Sequence, residues 1–126
     1  MPNAWRLCLR VIAFTAALLL NIEIGDAAGA LAIGACGAYG FSYDYPKAQG
    51  SAAQSAALAK CSGDCQTVSV RKECAALAVD IRNACGAHGY AVANRLGLAQ
   101  NTALRQCYRY GGKDCIIRAW LCDAKG

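Results

Sequence analysis

The sequence has few of the residues and motifs from which catalytic sites are most often built. It contains one histidine, His88, among 126 residues, and neither a Gly-x-Ser-x-Gly nucleophile elbow nor a Gly-x4-Gly-Lys phosphate loop. A single histidine excludes a ribonuclease of the two-histidine kind. Catalysis by His88 would also need a positioned partner, which the sequence does not show. We therefore predict that the protein is not an enzyme and has no catalytic residues and no cofactor.

The chain also lacks an apolar run long enough to cross a membrane. Residues 11–20 are apolar apart from Thr15, but a spanning helix needs about 20 apolar residues. Arg6 and Arg10 precede this run and small residues follow it, which is the layout of a secretory signal peptide. We predict that residues 1–27 are cleaved and that the protein is exported to the periplasm or the medium, without a membrane span.

Charge is neither abundant nor clustered. Thirteen basic and eight acidic side chains give a formal net charge of +5, and the basic residues form no run. Removal of the signal takes away two charges of each sign, so the net charge does not change. This pattern is typical of a soluble protein surface and gives little support to an anionic partner.

The cysteines lack the spacing of a zinc site. Nine are present, and none forms the Cys-x2-Cys knuckle of zinc ribbons. Cys8 lies within the signal, which leaves eight in the mature chain. An even number of cysteines in a short exported chain is typical of a disulfide framework. We predict a disulfide-stapled domain with no bound metal.

The mature chain consists of two similar modules. Residues 30–33 resemble residues 76–79, and residues 35–41 resemble residues 84–90. The cysteines match in order: Cys36, Cys61, Cys65 and Cys74 correspond to Cys85, Cys107, Cys115 and Cys122. We predict one α+β domain over residues 28–126, made of two tandem strand–strand–helix–strand modules (about 29–74 and 75–122) related by a pseudo-twofold axis.

Aromatic residues alternate along the second predicted strand of the first module. Tyr39, Phe41, Tyr43 and Tyr45 stand at every second position, which indicates a strand with one packed face. Residues 51–60 form an alanine-rich predicted helix. Small helix residues opposite large strand residues pack well, so we predict that this aromatic stripe lies under the helix. Tyr45, at the end of the strand, is expected to be its most exposed member.

These motifs resemble those of the small secreted bacterial proteins grouped as domain-of-unknown-function family 4189. The resemblance rests on residues 29–33, on Tyr-Gly-Phe-Ser-Tyr at 39–43 with Tyr-Pro at 45–46, on the helix ending at Cys61, on residues 64–65 and 74–78, and on Trp-Leu-Cys at 120–122. It implies secretion and a two-module α+β fold, and it implies no activity.

Two disulfide patterns are compatible with the repeat. In both, Cys61 pairs with Cys65 and Cys107 pairs with Cys115 across the helix–strand turns. The other four cysteines pair either as Cys36–Cys85 and Cys74–Cys122, or as Cys36–Cys74 and Cys85–Cys122. The resemblance favours the first pattern, since the family implies six recurring cysteines without Cys36 and Cys85. Cys74 and Cys122 would then be left to pair with each other, in a bond that we predict to join the modules.

Binding is the function that the remaining residues indicate. The candidate binding residues are Tyr45 and the aromatic–basic patch of Tyr108, Arg109 and Tyr110. The patch is too small, and the compartment unsuitable, for a nucleic-acid site. We predict a non-catalytic binding or envelope protein. A periplasmic inhibitor or immunity protein and a small unrecognised hydrolase are the alternatives.

Overall fold

The computed structural model of the chain describes residues 27–46 and 50–123. Residues 1–26 of the predicted signal peptide lie outside these ranges. The described part contains two helices and six strands, which confirms the predicted α+β class. In chain order the elements are β1 (Ala27–Ile33), β2 (Tyr39–Pro46), α1 (Gly50–Ala59), β3 (Gln66–Val70), β4 (Cys74–Asp80), β5 (His88–Ala93), α2 (Leu96–Arg109) and β6 (Cys115–Cys122). Neither helix is both long enough and apolar enough to cross a membrane.

The strands form two antiparallel sheets of three. Their orders are β2-β1-β3 and β5-β4-β6, so the first strand of each half is the central strand of its sheet. Each half therefore has the predicted order of strand, strand, helix, strand. The pseudo-twofold axis stays a prediction.

Small residues line the interface between each helix and its sheet. On the central strands and the helices these are alanines: Ala30, Ala32, Ala53 and Ala57 in the first half, and Ala76, Ala78, Ala99 and Ala103 in the second. Glycine serves the same purpose on β2 and β5. A Cβ on Gly40 would overlap the carbonyl oxygen of Ala57, and one on Gly89 would overlap that of Ala103.

The larger apolar residues fill the space between the two sheets. Leu31 and Val70 of the first sheet and Leu77 and Leu121 of the second are buried in one cluster. Because each helix covers the other face of its own sheet, the layers run helix, sheet, sheet, helix. Burial of a leucine or valine side chain contributes about 1.5–3 kcal/mol. The inter-sheet layer is therefore the main packed core.

Apart from Tyr45, the aromatic stripe of β2 does not lie under α1, and for these residues the prediction was wrong. Tyr39 and Phe41 pack against the inter-sheet core, on the opposite face of the sheet. The helix covers the face that carries Gly40 and Ser42, where the buried Ser42 hydroxyl donates to the carbonyl of Ala53. Only small side chains leave room for the helix backbone, and this requirement outweighs the pairing of large with small residues.

A β-bulge separates Tyr45 from the rest of the stripe. Ala30 pairs with Ser42, whereas Ala28 pairs with Tyr45, so β2 carries one extra residue between these pairs. The extra residue reverses the alternation of faces. Tyr45 consequently packs half-buried beside the alanines of α1. Tyr43, 53% exposed, is the most exposed member of the stripe in place of Tyr45.

Four disulfides staple the fold. They join Cys36 to Cys85, Cys61 to Cys65, Cys74 to Cys122, and Cys107 to Cys115, the pairs expected from the repeat together with the family resemblance. Four disulfides fit a compartment outside the reducing cytoplasm. The bond between Cys36 and Cys85 joins the turn after β1 to the loop after β4 and so links the two halves.

The bond between Cys74 and Cys122 does not link the two halves, and in this respect the prediction was wrong. Cys74 was expected at the end of the third strand of the first module. It is instead the first residue of β4, where it lies directly opposite Cys122 of β6 in the same sheet. The first sheet already ends at Val70, so the cysteine that follows belongs to the second sheet.

Candidate functional site

An aromatic groove opens between the edge strand of one sheet and the edge strand of the other. Its volume is about 530 Å³, within the range of roughly 300–1,000 Å³ that is usual for small-molecule sites. Its lining residues are Tyr39, Phe41 and Tyr43 from β2, and Arg118, Ala119, Trp120, Leu121 and Cys122 from β6. The groove is thus mainly apolar, with one cation in its wall.

Three rings of β2 form a ladder along the groove. The ring centroids of Tyr39 and Phe41 are 6.4 Å apart and those of Phe41 and Tyr43 are 6.3 Å apart, with interplanar angles of 1° and 19°. Side chains two positions apart on a strand share one face, which explains the regular spacing. The ladder runs from the half-buried Tyr39 to the exposed Tyr43. Ligand atoms can therefore reach the ladder at the Tyr43 end.

A bulge in β6 places Arg118 in the wall of the groove. Ala119 pairs with Leu77 and Ile117 pairs with Ala78, so Arg118 is the extra residue between two normal pairs. Its guanidinium carbon lies 5.5 Å from the ring centroid of Tyr39. Its Nε donates a long hydrogen bond of 3.4 Å to the carbonyl of Gly37. These two contacts fix the orientation of the guanidinium.

Lys60 is a second cation beside the aromatic ladder. Its Nζ lies 5.9 Å from the ring centroid of Phe41 and donates to the Phe41 carbonyl at 3.1 Å. Within residues 27–46 and 50–123, neither Lys60 nor Arg118 makes an ion pair with a carboxylate. The ion pair seen in this part of the chain joins Arg82 to Asp114 at 3.4 Å. The positive charge at the groove is therefore not paired with any of the carboxylates that the structure describes.

A second, more polar cleft contains the histidine. It has a volume of about 660 Å³ and is lined by Gly86, Ala87, His88, Gly89, Tyr90, Gln106 and Tyr110. Gln106 accepts a hydrogen bond from the backbone N–H of Tyr90, which ties α2 to β5. None of the lining residues is a carboxylate, so His88 has no acidic partner within the cleft.

Asp80 is the last residue of β4, and its carboxylate closes the turn that follows. One of its oxygens accepts the N–H of Arg82 at 2.9 Å, and the other accepts the N–H of Lys113 at 3.1 Å. These hydrogen bonds lower the pKa of Asp80, and the bond from the Arg82 N–H has the largest effect. The nearby charge of Arg82 lowers the pKa further. The carboxylate is thus ionised, and both of its oxygens accept hydrogen bonds from backbone N–H groups.

The four predicted binding residues do not meet in one site. Tyr45 lies beside α1, and Arg109 is exposed in the last turn of α2. The Tyr108 hydroxyl accepts a hydrogen bond from the N–H of Cys115 at 3.3 Å and donates one to the Cys115 carbonyl at 3.4 Å. These two bonds attach the end of α2 to the start of β6. Tyr110, 71% exposed, lines the histidine cleft. Tyr108 therefore has a structural contact, and Tyr110 alone of the patch lines a cleft.

Arg118 and Trp120 line the groove but were not predicted as binding residues from the sequence. The two adjacent isoleucines before Arg118 break the period-two alternation of β6, which is a signal for a bulge. No signal in the local sequence, however, indicates that the edge strands β2 and β6 of the two sheets lie side by side at the groove. Among the described residues, no group of three or more His, Cys, Asp or Glu side chains could hold a metal ion.

Comparison with known proteins places the chain in a family. Residues 28–122 match the profile of a domain of unknown function, DUF4189, so the match covers nearly all of the described residues. The chain belongs to the DUF4189 family. No curated protein and no solved structure gives a significant match. Membership of DUF4189 agrees with the resemblance found in the sequence and assigns no activity, so the function has to be argued from the site.

Proposed function

We propose that the protein is an exported binding protein without catalytic activity, and that the aromatic groove is its binding surface. The observation that carries this proposal is an apolar groove that joins exposed Tyr43 and Trp120 to the cation of Arg118. Tyrosine, tryptophan and arginine are the residue types that dominate binding hot spots. Their side chains need no rearrangement of the sheets to reach a ligand.

Export is supported by the disulfides and by the layout of residues 1–27. Mass spectrometry of the protein recovered from the periplasm or the medium tests it. We expect a new N-terminal residue between Ala28 and Leu31. An intact Met1 on the folded, exported protein would show that no signal is removed.

A non-catalytic role is supported by the surroundings of Asp80 and His88, the two side chains best suited to act as a catalytic acid or base. Asp80 binds backbone N–H groups with both oxygens, and His88 has no carboxylate among the residues that line its cleft. A small hydrolase remains the competing proposal, and the histidine cleft is the place where it would act. If a hydrolytic activity were found, its loss in a His88→Ala variant and its retention in Tyr43→Ala would support the enzyme and contradict our proposal.

Capture from an envelope extract tests the groove as the binding surface. The immobilised wild-type protein is compared with Tyr43→Ala and with Tyr110→Ala, which removes a more exposed tyrosine from outside the groove. We expect the Tyr43 variant to lose the captured molecule and the Tyr110 variant to retain it. Equal capture by all three proteins would mean that binding uses another surface. If the captured molecule were a hydrolase or toxin that the protein inhibits, the protein would be identified as a periplasmic inhibitor or immunity protein.

A further inference from the structure

We infer that the aromatic groove takes a single-chain carboxylate amphiphile, with its carboxylate on Arg118 and its apolar chain along the ladder towards Tyr43. The inference rests on the proposed binding function and names the chemical class of its ligand. Arg118 provides the polar end of the site, and the rings of Phe41 and Tyr43, with Trp120 across the groove, provide the apolar end.

Arg118 is arranged as a receptor for a carboxylate. Its Nε is already used by the carbonyl of Gly37, and its guanidinium carbon lies over the ring of Tyr39. Its two terminal nitrogens have no hydrogen-bond partner in the described part of the chain. Two such nitrogens match the two oxygens of a carboxylate, in the bidentate geometry that gives arginine its selectivity.

The charge around the groove favours an anion over a neutral or cationic ligand. None of the described residues that line it is acidic, and Lys60 adds a second positive charge beside Phe41. Neither cation forms an ion pair with a carboxylate whose side chain the structure describes. A bound carboxylate would supply a counterion to these two cations.

The shape of the groove favours a chain over an added peptide strand. A peptide that extended the second sheet would need the free N–H and carbonyl groups along the edge of β6. The Tyr108 hydroxyl occupies those of Cys115, and the bulge at Arg118 interrupts the edge. An alkyl chain needs no backbone hydrogen bonds and can follow the ladder of rings between the two edges.

Titration with decanoate, 1-decanol and decyltrimethylammonium tests the inference, because the three share one chain length and differ in head group. Trp120 lines the groove, and the other tryptophan, Trp5, lies in the predicted signal. Tryptophan fluorescence of the processed protein therefore reports binding at the site. Below the micellar concentration, we expect decanoate to change the fluorescence saturably and the other two compounds to bind at least ten-fold more weakly.

Substitution of Arg118 distinguishes its own contribution to binding from that of the protein's overall positive charge. Arg118→Gln should weaken decanoate binding by about ten- to a hundred-fold, the usual effect of losing a charged hydrogen-bond partner. Arg109→Gln makes the same charge change on the exposed end of α2 and should leave binding unchanged. Tyr43→Ala, at the exposed end of the ladder, should also weaken binding. Matching thermal midpoints would show that the variants are folded.

Three results would overturn the inference. The first is equal affinity for decanoate and 1-decanol, the second is unchanged decanoate binding by Arg118→Gln, and the third is no fluorescence change at any concentration below micelle formation. If one of these occurred while Tyr43→Ala still lost its captured molecule from the envelope extract, the groove would bind another class of ligand. The proposed function would then stand without this ligand class. If capture did not depend on Tyr43 either, both would fall.

Discussion

The guanidinium of Arg118 in the second sheet lies 5.5 Å from the ring centroid of Tyr39 in the first. This contact crosses the groove at its Tyr39 end, and the ring of Tyr39 is in turn stacked on that of Phe41. A cation over an aromatic face at an exposed site contributes about 0.5–1 kcal/mol. The pair therefore couples the two sheets at the same place where it shapes the groove.

A double-mutant cycle measures this coupling. The free energy of unfolding is compared for Tyr39→Leu, Arg118→Met and the double variant in a denaturant titration. We expect an interaction energy of about 0.5–1 kcal/mol. The same cycle on Arg109 and Tyr110, exposed neighbours outside the groove, is the control and should give no coupling. A zero value for the first pair would mean that the contact does not form in solution.

The approach of each helix to its sheet gives a second prediction. Gly89→Ala should destabilise the protein strongly, since the new Cβ would overlap the backbone of α2 at Ala103, which cannot move without moving the helix. Gly97→Ala is the matched control, because nothing lies within 4 Å of its added Cβ. That substitution should stabilise α2 by about 0.5–1 kcal/mol. Thermal unfolding should therefore move in opposite directions, and a tolerated Gly89→Ala would contradict the close packing.

Composition and spacing predicted the fold class and the order of the elements, because those depend on local patterns. The four expected disulfide pairs rested on the family resemblance as well as on the repeat. The alternation of aromatic and small residues in β2 could not show on which side of the sheet the aromatic stripe lies. A period of two shows that the two faces of a strand differ, but it does not show which face the helix covers. Gly40 carries that information, but only once the helix is known to cross β2.

The candidate site was less predictable than the fold. Tyr43 was recognised within the stripe, but the bulge in β2 that distinguishes Tyr43 from Tyr45 depends on pairing with β1. Arg118 faces the groove only because a second bulge interrupts β6 and because the two sheets pack with these edges together. Both conditions involve strands far apart in the chain, so no local motif could indicate them.

The hydrogen bonds of Asp80 predict how stability depends on pH. Its pKa is lowered in the folded protein, so the carboxylate stabilises the fold fully above its ordinary pKa of 3.8 and loses this effect as the pH falls through the folded value. Asp80→Asn should lower the thermal midpoint at pH 7, because the amide cannot replace both acceptor oxygens. The difference from wild type should shrink as the pH falls below 3.8 and the wild-type group also becomes neutral. Asp64→Asn, in an exposed turn, is the control. A difference that did not shrink at all as the pH was lowered would show that ionisation of Asp80 is not involved.

The disulfide between Cys36 and Cys85 gives the last prediction, since it joins the two halves and also holds the turn that contains Gly37. It closes a sequence separation of 49, against 4 for Cys61–Cys65. In the chain-entropy model the longer loop is worth about 4 kcal/mol and the shorter one clearly less. Replacing Cys36 and Cys85 with serine should therefore lower the free energy of unfolding more than the same change at Cys61 and Cys65.

Two further measurements make the test specific. Peptide mapping without reduction should recover Cys36 joined to Cys85, and a peptide pair that joined Cys36 to Cys74 would contradict the arrangement. Because the carbonyl of Gly37 accepts the Arg118 Nε–H, loosening this turn should also release the guanidinium. The Cys36/Cys85 serine variant should then bind decanoate more weakly than the Cys61/Cys65 serine variant under conditions where both are folded. Equal binding would mean that the bond stabilises the fold without orienting Arg118.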